Sequence, residues 1–254
     1  MGKIGAIIFD IDGTAIDSPS QRLPSQRLKN AVKAIEDKYY ICAATGRTWA
    51  TGQAILQSMG LVDPCIISGG SQICDPQTGT ILWQCNLEFP SIKAIKEALL
   101  QHPGYGLVIN NFTEHDYFEG GFPPNELDTD QEVYFADYVF VPEDVARQVA
   151  DDLDRIEGIA YSLGTSQKTG LKDIHMMNVA ATKEHAVAEL LIRIHIHRDD
   201  TYGFGDAMND VPLFKAVHTK IAVGNASPAL KEMANEIIPQ VSEDGFAQYL
   251  ERLV

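Results

Sequence analysis

Ile4 to Phe9 is an unbroken apolar run that stops on a carboxylate, Asp10. A strand buried on both faces reads this way, because neither side alternates toward water. The pattern recurs along the chain. Tyr40 to Ala44 ends at Thr45-Gly46-Arg47, and Cys65 to Ile67 ends at Ser68-Gly69-Gly70. Tyr202 to Phe204 ends at Gly205-Asp206, and Lys220 to Val223 at Gly224-Asn225. Helical spacings separate these runs: Leu28, Ala31, Val32 and Ile35; then Ala54, Ile55 and Met59. Later come Ala186, Val187, Leu190, Leu191 and Ile194 behind an N-cap at Thr182, and finally Phe246, Tyr249, Leu250 and Leu253. Strands alternating with helices imply right-handed crossovers and a parallel sheet, so the expected class is α/β.

The middle of the chain breaks that rhythm. A helix through Ile92, Ile95 and Leu99 precedes strands at Tyr105 to Asn110 and Tyr134 to Val141. A long helix (Val145, Val149, Leu153, Ile156) leads to strands at Ile159 to Leu163 and Leu171 to Val179. Strands in neighbouring pairs point to an α+β insert. The expected division is a Rossmann-like core at 1–82 and 183–254 with a cap at 83–182. Thr113 to Glu132, acidic and rich in Gly and Pro, reads first as a solvated loop and second as a substrate lid. A tandem duplicate, Pro19-Ser20-Gln21-Arg22-Leu23 followed by Pro24-Ser25-Gln26-Arg27-Leu28, is too short for a repeat architecture. Its second copy should open a helix with Ser25 at the N-cap, and its first lengthens the loop after Asp10.

With 254 residues, 45% of them hydrophobic, the chain can bury a sizeable core and a second module. A formal net charge of −15 repels polyanions and argues against nucleic acid as a partner. It does not exclude a small anion, which a local cation site can hold. No stretch approaches the roughly 18 apolar residues of a membrane span, and the first run is too short for a signal segment. The four cysteines form no CxxC pair; Cys42 and Cys65 sit in apolar runs and read as buried thiols of a reducing cytoplasm.

The chemistry gathers where strands end. In an open α/β sheet, ligands bind beyond the carboxyl ends of the strands. Asp10-Ile11-Asp12-Gly13-Thr14 places two carboxylates there, and their repulsion and desolvation need a counterweight. A hard cation such as Mg²⁺ supplies one. Read alone, the same residues also fit a plain turn. Thr45-Gly46-Arg47, Lys183 and Gly205-Asp206-Ala207-Met208-Asn209-Asp210 shift the balance, because each falls at a strand end or a helix start. Lys183 in a first helical turn opposes the macrodipole by roughly 0.3–1 kcal/mol. A phosphate at that position would offset the conflict.

These four ordered motifs resemble the haloacid dehalogenase-like superfamily, and within it the Cof-like phosphatases with an inserted α/β cap. Val223-Gly224-Asn225-Ala226 and Glu243-Asp244-Gly245 extend the resemblance through the core; the cap matches in length and pattern only. The resemblance implies that Asp10 attacks phosphorus and forms an aspartyl-phosphate. Asp12 would protonate the leaving oxygen and then activate water. Mg²⁺ would be held by the Asp10 carboxylate, the Asp12 backbone carbonyl and Asp206, with Asp210 and Asn209 completing or orienting the shell. Thr45 and Lys183 would grip the phosphoryl oxygens, with Gly13, Gly46 and Arg47 among the phosphate contacts. The chain departs from the branch in carrying Gly69-Gly70 where Asn-Gly is common, and Ala180 where a Gly often precedes the lysine by three.

The expected function is therefore Mg²⁺-dependent hydrolysis of a small phosphorylated metabolite such as a phosphosugar or a phosphoglycolate-like acid. A phosphomutase or phosphotransferase is the enzymatic alternative, and a binding protein with a silent site the non-enzymatic one. Asp12 argues against a dehalogenase, which has no use for that acid. His195-Ile196-His197 reads as surface rather than a metal site. His175, eight residues before Lys183, is either a substrate contact or a structural histidine. Arg47 fits a local salt bridge or a ligand contact. Oligomeric state is open, a homodimer included.

Overall fold

The computed structural model describes residues 2–17 and 23–254. The first copy of the duplicate lies outside the described residues except for Leu23. The second opens a helix as expected: Ser25 accepts a hydrogen bond from the Leu28 amide at 3.1 Å.

The first part of the chain forms β1 (Ala6–Phe9), α1 (Gln26–Ile35), β2 (Tyr40–Ala43), α2 (Trp49–Met59), β3 (Cys65–Ile67), β4 (Gln72–Cys74) and β5 (Ile81–Gln84). β1 is completely buried, as its unbroken apolar run requires. β3 does not extend the parallel sheet as the alternation suggested. It pairs antiparallel with β4, and β4 with β5, while a single parallel bridge, Ala44 to Ile66, links β3 to β2. The cause is the tight turn at Ser68–Gly70, whose three residues all have positive φ (53°, 70° and 118°) and reverse the chain at once.

The middle segment forms α3 (Phe89–Leu100), β6 (Gly106–Ile109), α4 (Glu114–Glu119), β7 (Ala136–Pro142), α5 (Glu143–Leu153), β8 (Ile159–Thr165) and β9 (Leu171–Asn178). Its strands make one antiparallel sheet in the order β6-β7-β9-β8. α3 and α5 bury Ile92, Leu99, Val149 and Leu153 with Ala136, Tyr138, Ile174 and Met176. Strand alternation sends Asp137, His175 and Met177 to the opposite face. Thr113 to Glu132 is not wholly loop. Thr113 accepts from the Asp116 amide and Asp116 accepts from the Thr113 amide, a reciprocal box that starts α4. Neighbouring Gly and Pro hid a helix only six residues long.

The chain then returns through α6 (Lys183–Ile194), β10 (Thr201–Gly205), α7 (Val211–Ala216), β11 (Thr219–Val223), α8 (Pro228–Met233), β12 (Glu236–Ile238) and α9 (Gly245–Glu251). A five-stranded parallel sheet results, ordered β12-β11-β10-β1-β2. Phe9 and Phe204 on adjacent strands each pack on Phe246 of α9 with ring centroids 4.7 Å apart. Thr182 caps α6, accepting from the His185 amide. His195 ends that helix, and it and His197 are exposed, as the surface reading expected. Among the described residues no helix is long and apolar enough to cross a membrane.

Gly70 is the point where the turn after β3 meets the return into α6. A Cβ on it would lie 2.5 Å from the Thr182 carbonyl carbon and 2.6 Å from the Lys183 nitrogen. Gly70→Ala should therefore destabilise the fold by about 1–3 kcal/mol. The reading is a lower urea midpoint at unchanged slope; an unchanged midpoint would show that this contact yields without strain.

Candidate active site

β1, β2 and β10 end side by side, which brings Asp10, Thr45 and Asp206 to one edge of the sheet. The chain after Asp10 curls tightly: the Gly13 amide donates to the Ile16 carbonyl at 2.8 Å. Gly13 has φ +85°, and a Cβ there would fall 2.4 Å from Asp206 Oδ2. Only glycine leaves room for that carboxylate. Thr14 donates to Asp206 Oδ1 at 3.1 Å, and Asn225 donates to the Gly13 carbonyl at 2.8 Å.

Lys183, in the first turn of α6, is buried and donates to Asp10 Oδ1 and Asp210 Oδ1, both at 2.7 Å. Asp210 turns its other oxygen to the amides of Asp206 (3.0 Å) and Ala207 (3.2 Å), which fixes the turn after β10. Burial disfavours the charged form of Lys183, but Asp10 and Asp210 outweigh it and raise its pKa. Burial, followed by repulsion from Asp210, raises Asp10 well above the carboxylate range despite Lys183. The same two causes push Asp206 up to about 6.

Ligand atoms of Asp10, Asp206 and Asp210 lie within 4.8 Å of one another. Three carboxylates facing one ammonium leave two negative charges uncompensated, and one divalent cation balances them. All-oxygen donors suit a hard ion. The cluster thus fits a divalent metal, with Asp10 and Asp206 the freer ligands because both Asp210 oxygens already accept protein hydrogen bonds.

The remaining sequence candidates divide. Thr45 is buried, and its hydroxyl accepts from the Arg47 amide at 3.1 Å. Arg47 grips Asp12 with both arms of its guanidinium, at 2.7 and 2.6 Å. Burial lowers the Arg47 pKa, but Asp12 more than restores it and the net direction is up. Gly46 and Asn209 line a cavity of about 130 Å³ beside Lys183. His175 lines it from the middle segment, with Nδ1 2.7 Å from Asp137 Oδ1. Burial alone would lower the His175 pKa; Asp137 reverses this and raises it.

Sequence reasoning missed Thr14, Asn225 and Asp137 as individual contacts. Thr14 and Asn225 stood inside quoted motifs. Asp137 carried its own signal, a carboxylate in the apolar run Tyr134 to Val141, which burial without a partner would forbid. A further contact had no signal. Thr48, at the N-cap of α2, spends its hydroxyl on the Phe112 carbonyl (3.0 Å) and on Thr51. The free Ala50 amide is instead met by the Asn111 side chain at 2.7 Å, so the middle segment caps a core helix.

Comparison with known proteins places this arrangement in context. A family model described as haloacid dehalogenase-like hydrolase matches residues 7–250. A 5-amino-6-(5-phospho-D-ribitylamino)uracil phosphatase of Bacillus subtilis is 26% identical over 255 residues, covering 99% of this chain and 96% of that protein. The pyridoxal phosphate phosphatase of Escherichia coli is 24% identical over 271 residues, covering 96% of each. Among solved structures, a sugar phosphatase of haloacid dehalogenase subclass IIB superposes with a TM-score of 0.78 at 19% identity, over 98% of both chains. A haloacid dehalogenase-like hydrolase from B. subtilis gives 0.80 at 17% identity, over 98% of this chain and 100% of that one.

The carboxylate cluster has a consequence for stability. Mg²⁺ at about a hundred times its Kd should raise the Tm by roughly 5–10 °C, the equivalent of about 2.7 kcal/mol of linkage. Asp206→Asn should remove most of that shift without lowering the Tm in EDTA, since one of three repelling carboxylates is gone. Differential scanning calorimetry with and without Mg²⁺ makes the comparison; a wild-type Tm indifferent to the ion would discount the cluster as a metal site.

Proposed function

The chain belongs to the haloacid dehalogenase-like hydrolase family, and from that premise we propose that it is a Mg²⁺-dependent phosphatase acting on a small phosphorylated metabolite. The observation that carries this reading is the buried Lys183 ammonium, shared by Asp10 and Asp210 at the ends of the parallel strands. It gives an attacking carboxylate and a cation for the transferred group within one crevice.

In this reading an oxygen of Asp10 attacks phosphorus as the bond to the leaving oxygen breaks, giving an aspartyl-phosphate. Asp12 gives its proton to the leaving oxygen, then takes one from the water that attacks the intermediate and frees phosphate. Arg47 must loosen its two-armed grip for Asp12 to carry that proton, and otherwise holds the carboxylate in place. Lys183 and Thr45 hold the phosphoryl oxygens, with Gly13, Gly46 and Asn209 bordering them. Mg²⁺, held by the Asp10 and Asp206 carboxylates and the Asp12 backbone carbonyl, with Asp210 orienting the shell, would neutralise charge on the phosphoryl group when bound. Phosphoryl transfer needs mainly this alignment and neutralisation.

We take residues 1–82 and 183–254 as the catalytic core and 83–182 as the cap, with β5 straddling the first boundary. The cap roofs the strand ends, and His175 projects from it into the cavity. A roofed site favours small phosphomonoesters over phosphoproteins and nucleic acids. The names of the relatives, a ribitylaminouracil phosphate phosphatase, a pyridoxal phosphate phosphatase and a sugar phosphatase, support small metabolites as the substrate class. Four free thiols, three of them buried, suit a cytoplasmic setting.

Asp10→Asn should lower kcat for phosphate release by at least about a thousandfold, because an amide cannot form the acyl phosphate. Circular dichroism should show an intact fold, and EDTA should abolish wild-type turnover until Mg²⁺ is restored. More than a few per cent of wild-type kcat in the variant, with deamidation excluded, would sink the nucleophile assignment.

A further inference from the structure

The cavity beside Lys183 has two unlike ends. Toward the core it is lined by Lys183, Gly46 and Asn209, which the proposed function sets around the phosphoryl group. Toward the cap the wall is predominantly apolar and is made by Phe135, Met177 and Ala160. The polar side chains at this end are few. The Tyr161 hydroxyl is already given to Asp154 at 2.7 Å, and Thr182 is paired with His185 at 2.9 Å. His175 and Ser162 remain.

The rings at this end lie nearly parallel. Phe112 and Phe135 are 6.2 Å apart at 14°, and Phe135 and His175 are 6.1 Å apart at 15°. Met177 adds a thioether, which packs well on flat rings. His175 is fixed by Asp137 through Nδ1, while its Nε2 takes no hydrogen bond among the described residues. The ring can lean over β8 only because Gly164 stands opposite: a Cβ there would lie 2.5 Å from Nε2.

Gly69 completes the wall. Its φ is +70°, and a Cβ would meet Phe135 Cε2 at 3.0 Å and Met177 Cε at 3.1 Å. The cap's apolar side chains thus press on the backbone where a residue such as asparagine would place its amide. Glycine at 69 leaves the wall without a polar group from the core at that point.

We infer that the leaving group is a compact, flat, sparsely hydroxylated body one ring in size, held by Phe135, Met177 and Ala160 and read at a single polar point by His175. The inference rests on the phosphatase reading and narrows its substrate class. A phosphorylated hexose would bring more hydroxyls than His175 and Ser162 can satisfy, and each unpaired one loses its water without replacement. The cavity is small, about 130 Å³ with its phosphoryl end included, which limits the enclosed part of the leaving group to the size of a small ring.

The test uses three esters of primary alcohols: benzyl phosphate, 3-pyridylmethyl phosphate and glucose 6-phosphate, with acetyl phosphate as a control that needs no leaving-group pocket. The wild-type protein with Mg²⁺ should show kcat/KM at least about tenfold higher for benzyl phosphate than for glucose 6-phosphate, within the range an apolar pocket can discriminate. The pyridyl ester, whose ring nitrogen can accept from Nε2–H of the His175 imidazolium that Asp137 favours, should exceed benzyl phosphate through a lower KM. His175→Phe should erase that second difference. Met177→Gln, and independently Gly69→Asn, which suits a positive φ, should each shrink the benzyl-to-glucose ratio by severalfold. Glucose 6-phosphate equal to or better than benzyl phosphate would overturn the inference while leaving the phosphatase reading intact. An unchanged ratio in both Met177→Gln and Gly69→Asn would overturn the assigned wall, and a pyridyl preference surviving His175→Phe would overturn the role of His175. No phosphate release from any ester, acetyl phosphate included, would overturn the phosphatase reading itself.

Discussion

A buried ammonium between two buried carboxylates organises this molecule. Lys183 meets Asp10 and Asp210 at 2.7 Å each, and these three residues come from β1, from the first turn after the middle segment, and from the turn after β10. Such a cluster is weak evidence for stability, because desolvation offsets much of the attraction. It is strong evidence for specificity of arrangement. Removing Lys183 would strand the buried carboxylates of Asp10 and Asp210, so the return from the middle segment has to enter α6 where it does.

The turn at Ser68–Gly70 is the second fixed point. It reverses the chain out of the sheet, packs Gly70 on the backbone that leads to Lys183, and sets Gly69 against Phe135 and Met177. One short segment therefore touches the start of α6 and the wall of the cavity together. Here the side chains of the middle segment and the backbone leading out of it lie directly against the turn.

Much of the core was legible because burial on both faces writes a continuous apolar run, and β1, β2, β10 and β11 all carry one. Each run ended at the polar residue that now lies at the sheet edge. β3 misled for a physical reason: a three-residue apolar run looks the same in a parallel and an antiparallel ladder, and only the positive φ values of the following turn decide. α4 was hidden because a one-and-a-half-turn helix has no room for an apolar period, leaving only the Thr113–Asp116 box as a trace. β12, three residues long with Glu236 in it, offered no pattern at all. Within the site, Asp10, Thr45 and Asp206 stood out because they follow strand ends, and Lys183 because it opens a helix against the macrodipole. The pairing of Arg47 with Asp12 and of His175 with Asp137 could not, since each joins residues 35 to 38 positions apart through side-chain directions that no local pattern encodes.

The hydrogen bond from the Ala50 amide to Asn111 makes the first turn of α2 common property of two modules. Without the middle segment that amide would lack its acceptor, and the turn it belongs to begins two residues after Arg47, the residue that clamps Asp12. The seating of the middle segment and the geometry around the Arg47–Asp12 bridge therefore share one turn of helix.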